Sequence, residues 1–296
     1  ILREHKVGEA DRFVTALTRD NGLVRAAARG AKSIKSRKGA ATSLLTYSRL
    51  TFTETKSGFA VSEAEPLRVF FDLKSDVTAV TLAQYFCELC GVLAPWDEPA
   101  EEFLRLMLNA FHLLAEGKKD PRLTKLVVEW RLLAAAGYMP DLSACRRCGG
   151  AQNLSLSLRD GTLVCQDCGV GLDCYPLSET MLAALRFVPT APLEKAFSFA
   201  VPEKELAALA DVCERFLLYR LNRGFNTLDF YHQLCDIKPK PAPCSKKLPF
   251  WESLPLKHLH SIPYRSEKVQ SELISPDFVK KSKKICKKIQ LFVIWG

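Results

Sequence analysis

Apolar and polar residues alternate through the N-terminal part of the chain. Residues 12–30 alternate on both sides of Asp20-Asn21-Gly22, a turn sequence that marks a β-hairpin. A second pair of alternating runs, over 44–69, turns at Ser57-Gly58. Short strands joined by such turns predict a five-stranded OB-fold β-barrel in residues 1–74.

A helical pattern follows the strands. From Ser75 apolar residues recur at steps of three and four, and Asp120-Pro121 supplies an N-cap and a proline for the first helical position. Gly137 marks the end of the helix that begins there. Helices are predicted over 75–93, 98–116, 121–138, from 178, over 203–221 and over 227–234.

The composition changes again after residue 236. Prolines alternate with lysines, and a run of five residues, 280–284, holds four lysines. Such a composition is typical of a flexible tail. We therefore expect an α+β multidomain protein, with the barrel in 1–74, an all-α helical domain in 75–236 and a basic tail in 237–296. Because the chain opens at Ile1 within an apolar stretch, we also expect that part of the first strand precedes it.

Four cysteines stand in two pairs inside the helical part. Cys145 and Cys148 form one Cys-x-x-Cys knuckle, and Cys165 and Cys168 form a second after sixteen residues. Two such knuckles can hold one zinc ion, and four thiolates leave no position for a reactive water, which favours a structural Zn2+ in a module at 141–174. The alternatives are unrelated buried cysteines or two disulfides.

The remaining cysteines and the bulk composition bear on location. The chain has eleven cysteines and no signal-peptide pattern or run of eighteen apolar residues, so we expect a cytoplasmic protein without membrane spans. In that reducing compartment paired cysteines serve metals more often than disulfides. Cys87, Cys90, Cys213 and Cys235 fall in apolar helical patterns and are interpreted as packing residues. Cys174 is a weaker candidate for a spare ligand.

Positive charge is concentrated in two places. The net charge of +9 matches the surplus in the tail, and within the remainder the first 74 residues are basic while the helical part is acidic. Six cations without an acid occupy 25–38, which predicts a DNA-binding strand and loop on the barrel. These cations are Arg25, Arg29, Lys32, Lys35, Arg37 and Lys38. Tyr47, Phe52 and Phe59 are candidates for stacking on bases.

Motifs for catalysis are absent from the sequence. It contains no phosphate-binding loop, no Gly-x-Ser-x-Gly elbow and no His-Glu-x-x-His pair. The first hypothesis is therefore a non-enzymatic DNA-binding protein. The second is a zinc-finger DNA repair enzyme of the formamidopyrimidine-glycosylase type, which uses the same cysteine spacing. Such enzymes end with their finger and begin with Pro-Glu, whereas here the finger lies mid-chain.

The order of motifs resembles the RecO family of bacterial recombination mediators. The matching stretches cover residues 1 to about 236 and are specific in their order and spacing, although no one of them suffices alone. They are Leu2-Arg3, Gly8 to Arg12, Thr18 to Lys32, Ser62 to Glu65, Ala136 to Leu142 leading into Cys145, and Phe216 to Leu234.

The resemblance implies more than the residues alone. RecO-like proteins bind single- and double-stranded DNA, anneal complementary strands, engage the acidic tail of the single-strand-binding protein SSB and work with RecR to load RecA. The basic segment matches the family's DNA-binding barrel, and Cys145, Cys148, Cys165 and Cys168 match its zinc ligands. Candidates for contacting the SSB tail are Lys125, Arg131, Arg220 and Arg223. The tail after residue 237 departs from the family.

Overall fold

The structure is a computed structural model that describes residues 1–33, 36 and 38–235. Its described part begins with a β-sheet, continues with helices and carries a second, smaller sheet among them. The predicted tail over 237–296 lies outside the described residues. No helix of the described part is both long and apolar enough to cross a lipid bilayer.

The N-terminal sheet has five strands in the order β1-β2-β3-β5-β4. All neighbours are antiparallel except β3 and β5, which pair through only two residues of each strand. The strands are β1 (Arg3–Val7), β2 (Asp11–Thr18), β3 (Gly22–Ala28), β4 (Thr46–Thr55) and β5 (Gly58–Val69). Both predicted hairpins are confirmed. Two backbone hydrogen bonds join Ile1 to Leu45 and Thr46, but the described residues show no ladder between β1 and β4 that would close a barrel.

The two faces of this sheet are covered differently. One face buries a core of its own, in which Val14, Val24, Leu50 and Val61 are packed together. Leu17 and Leu23, on the other face near the β2–β3 turn, join the large core of the helical part. The rest of that second face in β1, β2 and β3 is exposed or half-buried.

Of the eight α-helices in the described residues, six agree closely with the sequence pattern and two short ones were not predicted. They are α1 (Lys38–Ala41), α2 (Val77–Leu93), α3 (Glu101–Glu116), α4 (Pro121–Ala135), α5 (Glu179–Thr190), α6 (Leu193–Ala196), α7 (Glu203–Leu221) and α8 (Asn226–Leu234). Asp120 caps α4 through the amide of Arg122, and Ser178 caps α5 through that of Met181. Helix α4 ends earlier than predicted because Gly137, at φ +78°, turns the chain back so that Tyr138 donates to the carbonyl of Leu133.

Helix α3 also starts three residues later than predicted. The preceding loop is held by the sheet: the amide of Leu23 donates to the carbonyl of Pro95 (2.8 Å), and the amide of Ala100 donates to that of Arg19 (2.7 Å). Backbone groups that would have begun a helix are therefore used to attach the loop over 94–100 to the β2–β3 hairpin.

The second sheet forms the cysteine module, so the prediction of an all-α domain over 75–236 is wrong for this segment. Its strands are β6 (Asp141–Cys145), β7 (Leu154–Ser157), β8 (Thr162–Cys165) and β9 (Cys174–Pro176), in the order β6-β8-β7-β9. Leu156 and Leu163 are fully buried and extend the core of the helical part into the module. The module is thus packed onto the helices through apolar side chains.

Candidate nucleic-acid interface and metal centre

The predicted basic segment begins on β3 and continues past its end. Arg25 is exposed on β3, and Arg29 is exposed just after it. Lys32 donates to the carbonyl of Gly8 (2.9 Å), and Lys38, at the start of α1, donates to the carbonyl of Val61 (2.7 Å). A carbonyl carries no formal charge, so neither contact is an ion pair. Lys35 and Arg37 lie outside the described residues.

Strand pairing places further residues beside Arg25. Arg3 on β1 pairs with Thr15 on β2, which pairs with Arg25 on β3. Residues that pair directly across strands point to the same face, and so do residues two apart along a strand. The next row on this face contains His5, Phe13, Ala27 and Ala60. We call the exposed surface of these two rows the outer sheet face.

The outer sheet face carries unpaired positive charge. Within the described part of the chain no ion pair involves Arg3, Arg25, Arg29 or Lys32. Arg12, by contrast, turns inward on the opposite face. It pairs with Glu4 at 2.7 Å and donates to Ser43 and to the carbonyl of Thr42, so it is a structural cation. The free cations of the sheet can therefore attract an anionic ligand.

The structure separates the aromatic candidates. Phe52 is buried in the inner core of the sheet and cannot stack on a ligand. The Tyr47 ring is half-buried and its hydroxyl is enclosed without a hydrogen-bond partner, whereas Phe59 is exposed. Phe13 on the outer sheet face and Trp96 in the 94–100 loop are exposed but were not predicted. Alternation in β2 signals that Phe13 faces away from Val14, but nothing local indicates where Trp96 lies.

The four paired cysteines converge on one point. Their sulfur atoms all lie within 4.8 Å of one another, and Cys148 Sγ is 3.6 Å from Cys165 Sγ. A disulfide needs about 2.05 Å, so the described geometry is that of free thiols. Tetrahedral ligation with metal–sulfur bonds of about 2.3 Å gives sulfur–sulfur distances of about 3.8 Å. The site therefore fits one metal ion, and Cys174 is not part of it.

The knuckles are shaped by their backbones. The amide of Gly149 donates to the carbonyl of Cys145 and that of Gly169 to Cys165, each at 2.8 Å. Gly149 has a φ of +74°, a conformation that glycine adopts without strain. The pKa of Cys145 is lowered to about 6 because the amides of Cys148 and Cys165 donate to its sulfur. This arrangement favours a thiolate, the form that binds metals.

Two arginines attach the cysteine module to the helices. Arg186 on α5 donates to the carbonyls of Leu142 and Ser143, both at 2.8 Å. The guanidinium of Arg220 on α7 stacks on Phe216 and lies against Gly161, where an added Cβ would be 1.7 Å from Nη2. Arg220 therefore packs at the contact between the cysteine module and helix α7.

The other candidates for a partner surface lie in different surroundings. Arg131 is buried and donates to the carbonyls of Val188 (3.1 Å) and Ala191 (2.7 Å). Arg223 stacks on Phe225, is 3.6 Å from a carboxylate oxygen of Glu88, and keeps nearly half of its side chain exposed. Of the four cations proposed to contact an acidic tail, Arg223 is thus the most accessible in this structure.

Lys125 is the centre of a buried ionic cluster. Its ammonium lies 2.8 Å from Glu129 and 2.6 Å from Glu214, and Glu214 also contacts His232 at 2.9 Å. Burial raises the pKa of Glu129, whereas for Glu214 the charges of Lys125 and His232 outweigh burial and lower the pKa to about 2. The cluster connects α4, α7 and α8. Lys125 is therefore already engaged inside the fold.

Comparison of the sequence with known proteins identifies the family of this chain. The family model described as "Recombination protein O N terminal" matches residues 1–70, and the one described as "Recombination protein O C terminal" matches residues 74–229. The chain is 30% identical over 241 residues to the DNA repair protein RecO of Acetivibrio thermocellus, covering 80% of this chain and 96% of that protein.

Other RecO proteins give the same result. That of Symbiobacterium thermophilum is 28% identical over 240 residues, which cover 79% of this chain and 95% of the relative. That of Cutibacterium acnes is 36% identical over 190 residues, or 61% of this chain and 76% of the relative. None of these relatives supports the glycosylase alternative. The chain therefore belongs to the RecO family of DNA repair proteins.

Proposed function

We propose that this chain is a non-enzymatic recombination mediator of the bacterial cytoplasm. It binds single- and double-stranded DNA, anneals complementary strands and, with RecR, helps to load RecA onto single strands coated with SSB. The observation that carries the DNA-binding part is the group of exposed cations without ion pairs on and beside the outer sheet face, namely Arg3, Arg25 and Arg29. Family membership supports the remainder.

The binding domain in this proposal is an OB-type barrel. The strand order, the inner core of the sheet and the hydrogen bonds from Ile1 to Leu45 and Thr46 support that architecture. The two family models meet near residue 70, which supports the proposed domains of 1–74 and 75–236. No function is proposed for the tail.

Annealing follows from how the cations hold DNA. Contacts with phosphates neutralise the strands and reduce their mutual repulsion, while the base edges stay free to pair. Because such contacts release counterions, the affinity for DNA and the rate of annealing should both fall steeply as salt concentration rises.

Charge reversal tests the DNA-binding proposal. The quadruple variant of Arg29, Lys32, Lys35 and Arg37 to Glu should lose DNA binding and keep its fold. For any residual binding, four lost phosphate contacts reduce the magnitude of the negative slope of log affinity against log salt by about three. The matched control reverses four exposed lysines of the helical part, Lys118, Lys119, Lys195 and Lys204, and should bind nearly as the wild type does. Gel-shift titrations that show unchanged binding by the first variant would refute the proposal.

We also propose that the four cysteines hold one structural zinc ion. Cys145, Cys148, Cys165 and Cys168 fit tetrahedral thiolate ligation in distance and in donor chemistry. A bound zinc ion would fix the relative positions of β6 and β8, whose last residues, Cys145 and Cys165, are ligands.

For the SSB tail we propose Arg223 as the first residue to test, with Arg220 as its neighbour on α7. Arg223→Glu should weaken binding of a fluorescent peptide that carries the acidic SSB terminus, because an exposed cation attracts the acidic groups. Arg105→Glu, an exposed reversal on α3, is the control. Equal affinity of both variants for the peptide would exclude Arg223 as a contact.

A further inference from the structure

Trp96 connects the helical part to the outer sheet face. It lies in the 94–100 loop, its side chain is 45% exposed, and the guanidinium carbon of Arg25 is 5.1 Å from the centre of its ring. Bridge pairing joins its backbone to Gly22 and Leu23 at the start of β3. An exposed tryptophan and a cation of the sheet therefore form one continuous surface.

The position of Trp96 is fixed by backbone contacts. The hydrogen bonds from Leu23 to Pro95 and from Ala100 to Arg19 hold both ends of the loop. Gly22 makes this approach feasible, since a Cβ there would lie 2.2 Å from the carbonyl oxygen of Pro95. These backbone contacts therefore hold the large apolar ring of Trp96 in a partly solvent-exposed position.

Phe13 places a second ring on the same surface. It is 49% exposed and belongs to the row beside that of Arg3 and Arg25. The 94–100 loop itself contributes the acids Asp97 and Glu98 and no cation. Consequently the loop supplies a ring, whereas the strands supply the positive charge.

We propose that Trp96 and Phe13 stack on unpaired bases while Arg3 and Arg25 hold the adjoining phosphates. The outer sheet face is then a site for single-stranded nucleic acid, because alternating rings and cations suit exposed bases and their backbone. Bases of a duplex are covered by their neighbours and offer no free ring face. This inference rests on the proposed DNA binding and adds to it a preference for single strands and a contribution from the helical part.

The test compares single-stranded and duplex binding by full-length variants. Probes are a fluorescent dT homopolymer and a hairpin duplex of the same charge, followed by anisotropy. Trp96→Ala and Phe13→Ala should each weaken binding of the single strand about five- to 150-fold and leave duplex binding unchanged. Trp96→Phe, which retains a ring, should stay close to the wild type. Phe230→Ala on α8 removes an equally exposed ring (48%) and should have no effect.

Intrinsic fluorescence supplies a second readout. Trp130 is buried, and Trp251 and Trp295 lie outside the described residues, so the difference between wild type and Trp96→Phe isolates Trp96. Stacked dT should quench this difference signal, whereas the duplex should not.

The possible failures can be distinguished. Wild-type protein that binds neither probe refutes the proposed function itself. If wild type binds DNA but the alanine variants bind the dT strand normally, the outer sheet face serves another partner and the stacking proposal is wrong. Equal losses for single strand and duplex in both alanine variants, with circular dichroism showing a retained fold, would also overturn it.

Discussion

Replacing Lys125 by Met tests whether this lysine is a structural charge. Its side chain is 4% exposed, and its ammonium contacts Glu129 at 2.8 Å and Glu214 at 2.6 Å. Glu129 has no exposed surface and also accepts a hydrogen bond from the hydroxyl of Tyr85 (2.7 Å). Methionine fills a similar volume without charge, so Glu129 and Glu214 both lose their contact with the lysine ammonium.

The cost follows from the burial of the carboxylates. Removing one partner of a buried ion pair destabilises a fold by about 3–5 kcal/mol, because the remaining charge is left uncompensated. For a domain of this size each kcal/mol lowers Tm by about 2–4 °C, so Lys125→Met should lower Tm by roughly 6–20 °C.

The loss should also depend on pH. Burial raises the pKa of Glu129, and Lys125 is the first of the groups that oppose this rise. Without the lysine the folded-state pKa moves further above the unfolded value of about 4.3. A carboxyl group whose pKa is raised in the folded state favours folding when protonated, so the deficit of the variant should shrink as pH falls from neutrality.

Urea unfolding followed by circular dichroism measures these effects. Lys118→Met, at an exposed lysine, is the control and should change the unfolding free energy by less than about 0.5 kcal/mol. In the double variant of Lys125→Met and Glu129→Gln the deeper carboxylate is neutral, so part of the lost stability should return. A loss below about 1 kcal/mol, or a double variant no more stable than Lys125→Met, would contradict the assigned role.

Four further outcomes are expected. Elemental analysis should find about one zinc per chain, and the double variant of Cys165 and Cys168 to Ser should lose it together with thermal stability; wild type without stoichiometric metal would refute the site. Gly22→Ala should lower the free energy of unfolding in urea by at least about 1 kcal/mol and weaken dT binding, because Gly22 has a φ of +56° and the new Cβ would meet Pro95. Wild-type values for both measurements would contradict the role of Gly22 in holding the 94–100 loop. Gly161→Ala should lower Tm, because Gly161 has a φ of +64° and the added Cβ would meet Arg220. The double variant with Arg220→Ala should lose less stability than the sum of the two single losses, whereas simple additivity would disprove the contact. Acid titration should show stability lost as pH falls from about 4.3 towards 2, because the pKa of Glu214 is lowered to about 2; the variant Glu214→Gln should lack that part of the acid transition, and an unchanged acid transition would count against the cluster.

Local signals predicted much of this fold. Asp120-Pro121, Ser178 and the hairpin turn at Asp20-Asn21-Gly22 act through backbone hydrogen bonds or φ angles a few residues away, so each is visible in a short window of sequence. The cysteine quartet was predictable because metal ligation imposes a fixed spacing. Helices α1 and α6 were not predicted, since four residues each are too few for an apolar period.

Lys125 shows how a local interpretation of charge can mislead. A basic residue on a helix is a candidate for binding an acidic partner, yet every residue of α4 from Thr124 to Leu133 is buried. A helix that is apolar on all sides lies in a core, and a charge within it needs a buried partner. The spacing of Lys125 and Glu129, four residues apart inside that run, was the available signal.

Trp96 could not be placed from sequence because its surroundings come from the N-terminal sheet, which is distant in the sequence. Its loop is held by amides and carbonyls of Arg19, Leu23, Pro95 and Ala100, which any residue type supplies, so side-chain patterns carry no trace of the contact. Gly22 is the one position of this contact that requires a particular residue type. The turn at Asp20-Asn21-Gly22 already accounts for a glycine there, so the sequence gives no separate signal of the contact.

The N-terminal sheet and the cysteine module are attached to different helices and loops. A bound metal ion and bound DNA should therefore influence different parts of the protein. The module is held through Arg186 on α5 and Arg220 on α7, whereas the 94–100 loop, between α2 and α3, holds the sheet. Loss of the proposed metal ion should therefore act first on β6 and β8 and on their contacts with α5 and α7. The outer sheet face depends on its own backbone bonds, so a metal-free protein that still folds should retain the contact between Arg25 and Trp96. Under the two proposals, a metal ion held by the cysteines stabilises the helical part, and the affinity for nucleic acid is set at the sheet.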